Sequence, residues 1–241
     1  MIASDMNRQA LDFLHDVGQG GCISLMEPLR HGEADVVILL PGGLVLRHHG
    51  GIYICLCTDG KYTGDLAAAM EGAQCVNLRT MGSVEEFSRL LGLPVSMHCA
   101  AIAWTQKTPP SCPASCRALE VYPAEEKDIP FIIQHYTYGD AAYVHDRISH
   151  NMLFVGRVGE EPIGFIGLHP EGAMGLLHIV PAWRRKGYAR GLESWLCTSL
   201  MARGRIPFGD IVISNTASLR LHEKTGFTQE EVPSYWLENP Y

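Results

Sequence analysis

The sequence predicts an α+β protein of the α/β three-layer type, in which helices flank a mixed sheet. Apolar segments with strand spacing alternate along the chain with amphipathic segments of helical spacing. Gly159-Glu160-Glu161 separates two strand-like segments and predicts a hairpin between them. The chain has 241 residues, of which 46% are hydrophobic and 19% are charged. It is therefore large enough to bury a sizeable core, and we expect two domains.

A proline-rich stretch predicts where the chain divides. Residues 106–116 contain Pro109, Pro110 and Pro113 and interrupt the apolar periodicity. We expect an N-terminal α/β domain over residues 1–105, a linker over residues 106–116 and a second domain over residues 117–241.

In the first domain, His49-Gly50-Gly51 predicts a hairpin between two strands. Residues 95–104 fit a strand or a helix. Helices are predicted at residues 6–15, 66–70 and 84–91, and strands at residues 36–40, 43–48, 52–57 and 75–78.

The second domain has clearer periodicity. A helix is predicted over residues 123–136, where Glu125, Glu126 and Asp128 complement the helix dipole. A last strand begins at Gly226-Phe227 and is expected to pair with residues 234–237. The other predicted strands are 117–122, 152–158, 162–169, 173–180 and 211–214, and the other predicted helices are 140–149, 187–203 and 217–225.

The most informative segment is Leu176 to Ala189, which joins a short apolar strand to an amphipathic helix through a basic turn. The turn has the form Arg184-x-x-Gly187-x-Ala189. Unpaired N–H groups and the helix dipole both favour an anion at a helix N-terminus. Gly187 and Ala189 leave room for close backbone approach. The segment therefore predicts a site for a pyrophosphate.

Charge and apolar length argue against several classes of function. The formal net charge is −7, and we expect no nucleic-acid partner. Basic residues cluster only locally, at Arg184, Arg185, Lys186 and Arg190. Such a cluster favours a compact polyanion. No apolar run has the roughly 18 to 20 residues that span a bilayer, and no signal-peptide pattern is present. We therefore expect a cytoplasmic protein with no membrane partner.

The cysteines do not favour a metal site. Six of the eight lie in apolar segments, where a reduced cysteine acts as a small core residue. Cys99, which is one of these six, could form a zinc site with Cys112, Cys116 and the nearby His98, but this group lacks a paired C-x-x-C spacing. We expect no metal.

Two segments, in this order, resemble the signature of the GNAT acyltransferase superfamily. The first is the turn Arg184 to Ala189. The second is Asn215-Thr216-Ala217-Ser218-Leu219-Arg220-Leu221-His222-Glu223-Lys224-Thr225-Gly226-Phe227, which is the more specific of the two. The resemblance covers about residues 117–241. Residues 169–177 and 203–208 are similar to the glycine N-acyltransferase-like branch, in which the first half resembles a degenerate copy of the same fold. We extend that expectation to residues 1–105.

The resemblance implies an acyl-CoA co-substrate, usually acetyl-CoA, and a primary amine acceptor such as a small molecule or an amino acid. It implies that the two central strands splay apart and that the freed backbone groups of residues 177–179 pair with the pantetheine arm. The implied cofactor-binding residues are Leu177, Ile179, Val180, Arg184, Arg185, Lys186, Gly187, Tyr188, Ala189, Asn215 and Ser218.

The catalytic residues are expected to be two histidines. Many relatives carry a tyrosine, the acid for the leaving thiolate, where this chain has His222. A histidine could donate the proton, although the ring could equally be a satisfied helix residue. His178, on the splayed strand, is expected to be the base, with a hydrogen-bonded role inside the sheet as the alternative. His169 is a weaker candidate. The resemblance implies direct attack by the amine, and no motif supports a nucleophilic Cys197 or a covalent intermediate.

Two other functions stay open at this point: a non-catalytic CoA-binding regulatory module, and an N-acetyltransferase that acts on a protein or peptide. Acceptor contacts are expected from residues 136–150 and 233–241, and the chain is expected to be a monomer or a homodimer. Side chains that could line an acceptor pocket are Tyr138, Tyr143, Asp146, Arg147 and Tyr235.

Overall fold

The structure is a computed structural model that describes residues 5–17, 22–136 and 139–239. Tyr138, one of the expected acceptor contacts, lies outside the described residues. No helix in the described part of the chain is long and apolar enough to cross a membrane.

Eight helices and twelve strands are formed by the described residues. The helices are α1 (Asp5–Asp16), α2 (Ile23–Arg30), α3 (Thr63–Ala68), α4 (Val84–Leu91), α5 (Ile129–His135), α6 (Ala141–Ser149), α7 (Tyr188–Ala202) and α8 (Thr216–Thr225). The strands are β1 (Ala34–Leu40), β2 (Gly43–His48), β3 (Tyr53–Cys57), β4 (Cys75–Thr80), β5 (Val95–Ala103), β6 (Leu119–Pro123), β7 (Leu153–Val158), β8 (Glu161–Leu168), β9 (Met174–Ile179), β10 (Phe208–Val212), β11 (Thr228–Gln229) and β12 (Ser234–Glu238).

These strands form two sheets. The larger has the order β1-β2-β3-β4-β12-β5-β10, with β11 also paired to β5. It is mixed, because β3 and β4 are parallel while the other pairs are antiparallel. The smaller is an antiparallel sheet in the order β6-β7-β8-β9. The predicted α+β class, with a mixed sheet flanked by helices, is confirmed.

The chain folds as two units whose segments alternate in sequence. The first contains the described residues of Met1–Ala103, Phe208–Arg220 and Phe227–Tyr241, and the second contains Trp104–Pro207 and Leu221–Gly226. Thus β10, β11 and β12 follow the predicted linker in the chain but belong to the first unit.

The predicted pairing of the last two strands is wrong. β11 pairs with Ala103 and Ile102 of β5, and β12 lies between β4 and β5. The physical reason is burial, because Leu237 of β12 is fully buried in a core cluster with Val76 and Leu78 of β4. Local periodicity cannot indicate so distant a partner. Helix α2 was not predicted at all, and it contains Pro28, which ordinarily interrupts a helix.

In the first unit, alternate residues of the strands face two separate layers of helices. Val45 and Cys55 pack in the core cluster that includes α3 and α4, whereas Leu44, Leu46 and Ile54 pack in the cluster that includes α1 and α2. Because successive side chains of a strand point to opposite faces, the sheet is covered on both sides.

A buried ion pair ties the C-terminal segment to this sheet. Arg79 of β4 is fully buried. Its Nη2 pairs with Glu230 and also donates to the Val232 carbonyl at 3.0 Å, while its Nη1 donates to the Ser24 hydroxyl of α2. Removing one partner of a buried pair leaves an uncompensated charge, which costs about 3–5 kcal/mol. This pair therefore helps to explain why the residues after α8 belong to the first unit.

The second unit is layered by the same alternation. Leu153 and Val155 of β7 belong to the core cluster that includes α5 and α6. Phe154 instead contacts Trp195 of α7, with ring centroids 4.9 Å apart. A Cβ added to Gly156 would lie 2.7 Å from a methyl group of Leu192, again on α7. The small sheet is thus covered by α5 and α6 on one face and by α7 on the other.

His169, just after β8, is fixed by close packing. Its Nδ1 lies 2.6 Å from the Tyr143 hydroxyl, and its Nε2 would lie 2.1 Å from a Cβ added to Gly175. Burial lowers the pKa of His169 to about 4, with a smaller contribution from Arg147. The ring is therefore neutral near neutral pH, and glycine at position 175 provides its space.

We predict that Gly175→Ala destabilises the protein by about 1–3 kcal/mol, because a methyl group must displace the His169 ring. Unfolding in urea would measure the loss. Gly64→Ala is the matched control, since nothing lies within 4 Å of its added Cβ and alanine favours the α3 helix. Equal stability of the Gly175→Ala variant and the parent would contradict this packing.

Candidate functional site

The turn between β9 and α7 has an unusual backbone. A short 3-10 helix, Pro181–Trp183, follows the strand. Arg185 then adopts a φ of 63° and Gly187 a φ of 95°, both in the left-handed region. Gly187 is the N-cap of α7. Only glycine adopts this region without strain, so the residue type at position 187 follows from the path of the chain.

The helix that follows begins without a side-chain cap. Gly187 has no side chain with which to accept a hydrogen bond, and Gly191 N–H is the first to be satisfied, by the Gly187 carbonyl at 3.0 Å. Within the described residues, the N–H groups of Gly187, Tyr188, Ala189 and Arg190 have no acceptor. These donors and the helix dipole provide a site of positive potential.

Three exposed basic side chains surround these donors: Arg184, Arg185 and Lys186. The Lys186 ammonium lies 4.8 Å from the centre of the Trp183 ring, and the Arg184 Nε donates to the Ile179 carbonyl at 2.8 Å. The turn thus combines backbone donors with side-chain charge, an arrangement suited to a phosphate group.

The predicted linker packs behind this turn. The Ser115 hydroxyl donates to the Lys186 carbonyl at 2.9 Å, and a Cβ added to Gly187 would lie 2.8 Å from the same hydroxyl oxygen. A Cβ added to Gly191 would lie 3.0 Å from the Cys116 sulfur. Sequence reasoning missed Ser115, because only the tertiary fold brings it to the turn.

β9 is an edge strand with an irregular path. It pairs only with β8 in the described part of the chain. Its register slips by one residue between Phe165 and Gly167, and Leu176 has a φ of 52°, which marks a β-bulge. Val180 N–H donates to the Ile163 carbonyl, so strand alternation directs the backbone groups of Ile179 to the open edge. A strand edge of this kind can pair with an extended ligand.

His178 is the next-to-last residue of this strand and lies between two other rings. Its ring stacks on Phe165 at 5.4 Å and on His135 of α5 at 5.0 Å. Its Nε2 is buried and has no hydrogen-bond partner among the described residues. Burial lowers the pKa of His178, and the nearby His135 and Arg184 lower it further. His178 is therefore a neutral imidazole near neutral pH, whose Nε2 is not engaged by the protein.

His222 has a different environment. Its Nε2 lies 2.8 Å from a carboxylate oxygen of Glu193, a fully buried residue of α7. The other oxygen of Glu193 accepts from the Thr225 hydroxyl at 2.6 Å. The sequence left open whether His222 is an acid or a satisfied helix residue, and this contact favours the second alternative.

Two other candidates are held in place by the core. His169 contacts Tyr143 and Gly175 as described above. The Cys197 thiol lies 3.8 Å from the Met174 sulfur, and burial raises its pKa well above the usual range. A buried thiol with a raised pKa is a poor nucleophile.

Asn215 and Ser218 belong to the first unit. The side-chain oxygen of Asn215 accepts from the Ser218 N–H at 3.1 Å, which is the contact of a helix N-cap. The structure therefore gives Asn215 a local role at the start of α8, and its expected contact with a cofactor stays a prediction.

The expected acceptor residues are divided between the units. Tyr143, Asp146 and Arg147 lie on α6, where the buried Arg147 pairs with Asp146. Tyr235 lies on β12 in the first unit and stacks on His98 with ring centroids 4.5 Å apart. Among the described residues, no group of three His, Cys, Asp or Glu side chains is placed to hold a metal ion.

Comparison with known proteins identifies the fold. A family model described as FR47-like protein matches residues 160–237. A search of curated protein sequences gave no match. Similar solved structures include a Drosophila protein with a TM-score of 0.65 and 14% identity, over 98% of this chain and 96% of that one. A GCN5-related N-acetyltransferase from Kribbella flavida has a TM-score of 0.56 and 9% identity, over 100% and 96%.

A tandem GNAT protein from the clavulanic acid biosynthesis pathway also matches, with a TM-score of 0.51 and 10% identity, over 100% of this chain and 98% of that one. Matches at these identities establish the fold. The FR47-like segment spans β9, the basic turn and α8. The chain has the GNAT fold, and its residues 160–237 match the FR47-like family model.

Proposed function

We propose that the protein is an acyl-CoA-dependent N-acyltransferase, with acetyl-CoA as the donor and the primary amine of a small molecule or amino acid as the acceptor. The observation that carries this proposal is the uncapped start of α7, where the four N–H groups from the left-handed Gly187 to Arg190 have no acceptor among the described residues. In a chain with the GNAT fold, this turn follows an open strand edge and carries exposed basic side chains, and both features suit a CoA molecule.

Each part of the turn has a proposed role in CoA binding. The N–H groups of residues 187–190 bind the pyrophosphate, while Arg185 or Lys186 adds charge near the ribose phosphate. The open edge of β9 pairs with the pantetheine arm as an added strand through the Ile179 N–H, because the Ile179 carbonyl already accepts from Arg184 Nε. Leu177 on β9 and Val180 directly after β9 flank this contact.

The proposed reaction is direct attack of the amine on the thioester carbonyl. The nitrogen forms a bond to the carbonyl carbon, the carbon–sulfur bond breaks, and CoA leaves as a thiolate that takes a proton from solvent. Most alkylamines are protonated at neutral pH, so a base must remove protons before and during attack. His178 is the proposed base, because its imidazole is neutral and the described protein groups do not engage its Nε2.

One observation favours a second function. His222, the candidate acid, has its Nε2 2.8 Å from a carboxylate oxygen of the buried Glu193. A chain that binds CoA without a placed acid could serve as a non-catalytic CoA-binding module. Release of free thiol from acetyl-CoA, screened against amino acids, polyamines and peptides, tests the two functions. Turnover on a small amine supports the enzyme, turnover only on peptides supports a protein N-acetyltransferase, and CoA binding without turnover supports the regulatory module.

The enzyme is expected in the cytoplasm as a monomer or homodimer.

We predict that Gly187→Ala raises the Kd for CoA by about tenfold or more, because the substitution distorts the donors that bind the pyrophosphate. Calorimetry would measure the affinity. Gly204→Ala is a matched control: Gly204 also has a positive φ, of 74°, but nothing lies within 4 Å of its added Cβ. Unchanged CoA binding by a folded Gly187→Ala variant would disprove the pyrophosphate assignment.

We predict that His178→Gln lowers kcat/KM by about 100-fold, a typical contribution of a general base. Because the pKa of His178 is lowered, its neutral form persists below the pH at which an ordinary histidine becomes protonated. In the parent enzyme, the acid limb of kcat/KM should therefore lie below about pH 6.5. The assay should use a weakly basic acceptor amine, so that protonation of the amine does not contribute to the acid limb of kcat/KM. Full kcat/KM in His178→Gln between pH 6 and 9 would exclude the role.

We predict that His222→Phe lowers the free energy of unfolding by about 1–3 kcal/mol, since it leaves the buried Glu193 carboxylate without this partner. Urea denaturation measures the loss, and CoA binding calorimetry shows whether the site survives. Glu223→Gln is the control on the neighbouring, exposed position of α8. Unchanged stability with loss of turnover would instead identify His222 as the acid.

A further inference from the structure

Three aromatic rings from three elements form a stack in the second unit. Phe165 of β8 is the cross-strand partner of His178 on β9. The ring planes of Phe165 and His178 differ by 14°, and those of His178 and His135 by 21°. His178 is thus sandwiched between an apolar ring and a second imidazole.

Phe131 holds the outer members of this stack. It lies one turn before His135 on α5 and makes T-shaped contacts with His135 and Phe165, with ring centroids 5.3 Å and 6.1 Å apart. Such edge-to-face contacts favour one orientation of each ring. The α5 helix therefore fixes the position of His135 relative to the strand.

The charged groups near the stack all lower the pKa of His178. The neighbours of His178 are the uncharged Phe165 of β8, His135 of α5 and Arg184 of the turn after β9. Tyr136 makes a T-shaped contact with Phe165. Both charged neighbours of His178 are therefore cationic or become cationic on protonation. A positive charge on either neighbour disfavours protonation of His178.

We propose that His135 is a positioning residue for His178: its ring fixes the plane of the His178 imidazole, and its charge keeps that imidazole free to accept a proton from the acceptor amine. This inference rests on the proposed function. The proton moves from the attacking nitrogen to His178 as the carbon–nitrogen bond forms, and it leaves to solvent after the product departs. His135 makes no bond to the reacting atoms.

Two variants separate the two effects of His135. His135→Phe keeps an aromatic face against His178 but removes the titratable group. His135→Leu removes both the ring and the charge. His15→Phe is the control, because His15 is an exposed residue of α1 in the first unit.

The first measurement needs no substrate. Titration of the histidine C2 protons by NMR, with the His178 signal assigned by its loss in His178→Gln, follows protonation of His178 directly. We expect the His178 titration to move to higher pH by about half a unit in His135→Phe, because the cationic neighbour is gone. The His15→Phe control should leave the His178 titration unchanged. A shift below about 0.2 unit in His135→Phe would overturn the electrostatic part of the proposal.

The second measurement is the pH profile of kcat/KM. In His135→Phe, the acid limb should move in the same direction as the NMR titration, with the plateau retained within about threefold. In His135→Leu, the plateau itself should fall by about tenfold, because His178 loses a supporting face. An unchanged plateau in a folded His135→Leu variant would overturn the positioning role.

The two measurements distinguish the failure of this proposal from that of the proposed function. A shifted NMR titration in a protein that turns over no amine supports the coupling of His135 to His178 but contradicts the enzyme. Turnover with His178 and His135 titrating independently supports the enzyme and contradicts the proposal.

Discussion

The turn between β9 and α7 depends on a backbone conformation that only glycine adopts without strain. At Gly187 the chain adopts a left-handed conformation and then starts a helix, and the first N–H groups of α7 have no acceptor in the described part of the chain. Position 187 also has no room for a side chain, because the Ser115 hydroxyl lies close behind the backbone there. A helix start would normally be satisfied by a side-chain cap worth about 1 kcal/mol. No side chain caps the start of α7, so these donors are available to a ligand.

The strand before the turn is irregular for a related reason. A regular β9 would repeat the alternation of its neighbour, but the extra residue at the Leu176 bulge changes which side chains face α5 beyond that point. His178 thereby becomes the cross-strand partner of Phe165 and stacks in the ring cluster. Burial there disfavours the charged form of the imidazole, so the packing that stabilises the sheet also sets the protonation state of His178.

Sequence patterns predicted most of the secondary structure, and the reasons are local. The helix predicted at residues 84–91 is found as α4, with a Ser83 cap and a Gly92 end that are both visible in the sequence. The start of α7 was equally visible, at Gly187. The pairing of β12 with β4 and β5 was not visible, because it depends on the burial of Leu237 and on a long-range ion pair between Arg79 and Glu230.

The site was predicted less completely than the fold, for the same physical reason. The turn from Arg184 to Ala189 lies within one local segment, so its donors and charges could be read in order. Ser115 and His135 come from distant segments, and no spacing in the sequence relates them to Lys186 or His178. His222 could be placed on its helix, but its partner Glu193 lies on another helix and could not be identified.

His222 and His178 differ in what their ring nitrogens contact. The Nε2 of His222 faces a buried carboxylate, whereas the Nε2 of His178 is not engaged by the described residues. Glu193 is fully buried, and a buried carboxylate requires partners, which Thr225 and His222 supply. A histidine that also had to release a proton in each catalytic cycle would leave that carboxylate periodically without its partner. His178 has no comparable obligation, since its faces contact rings and its buried nitrogen is not engaged by the described residues. Proton transfer at His178 therefore removes no partner from a buried carboxylate. This supports the proposal of His178 as the base and argues against His222 as the acid.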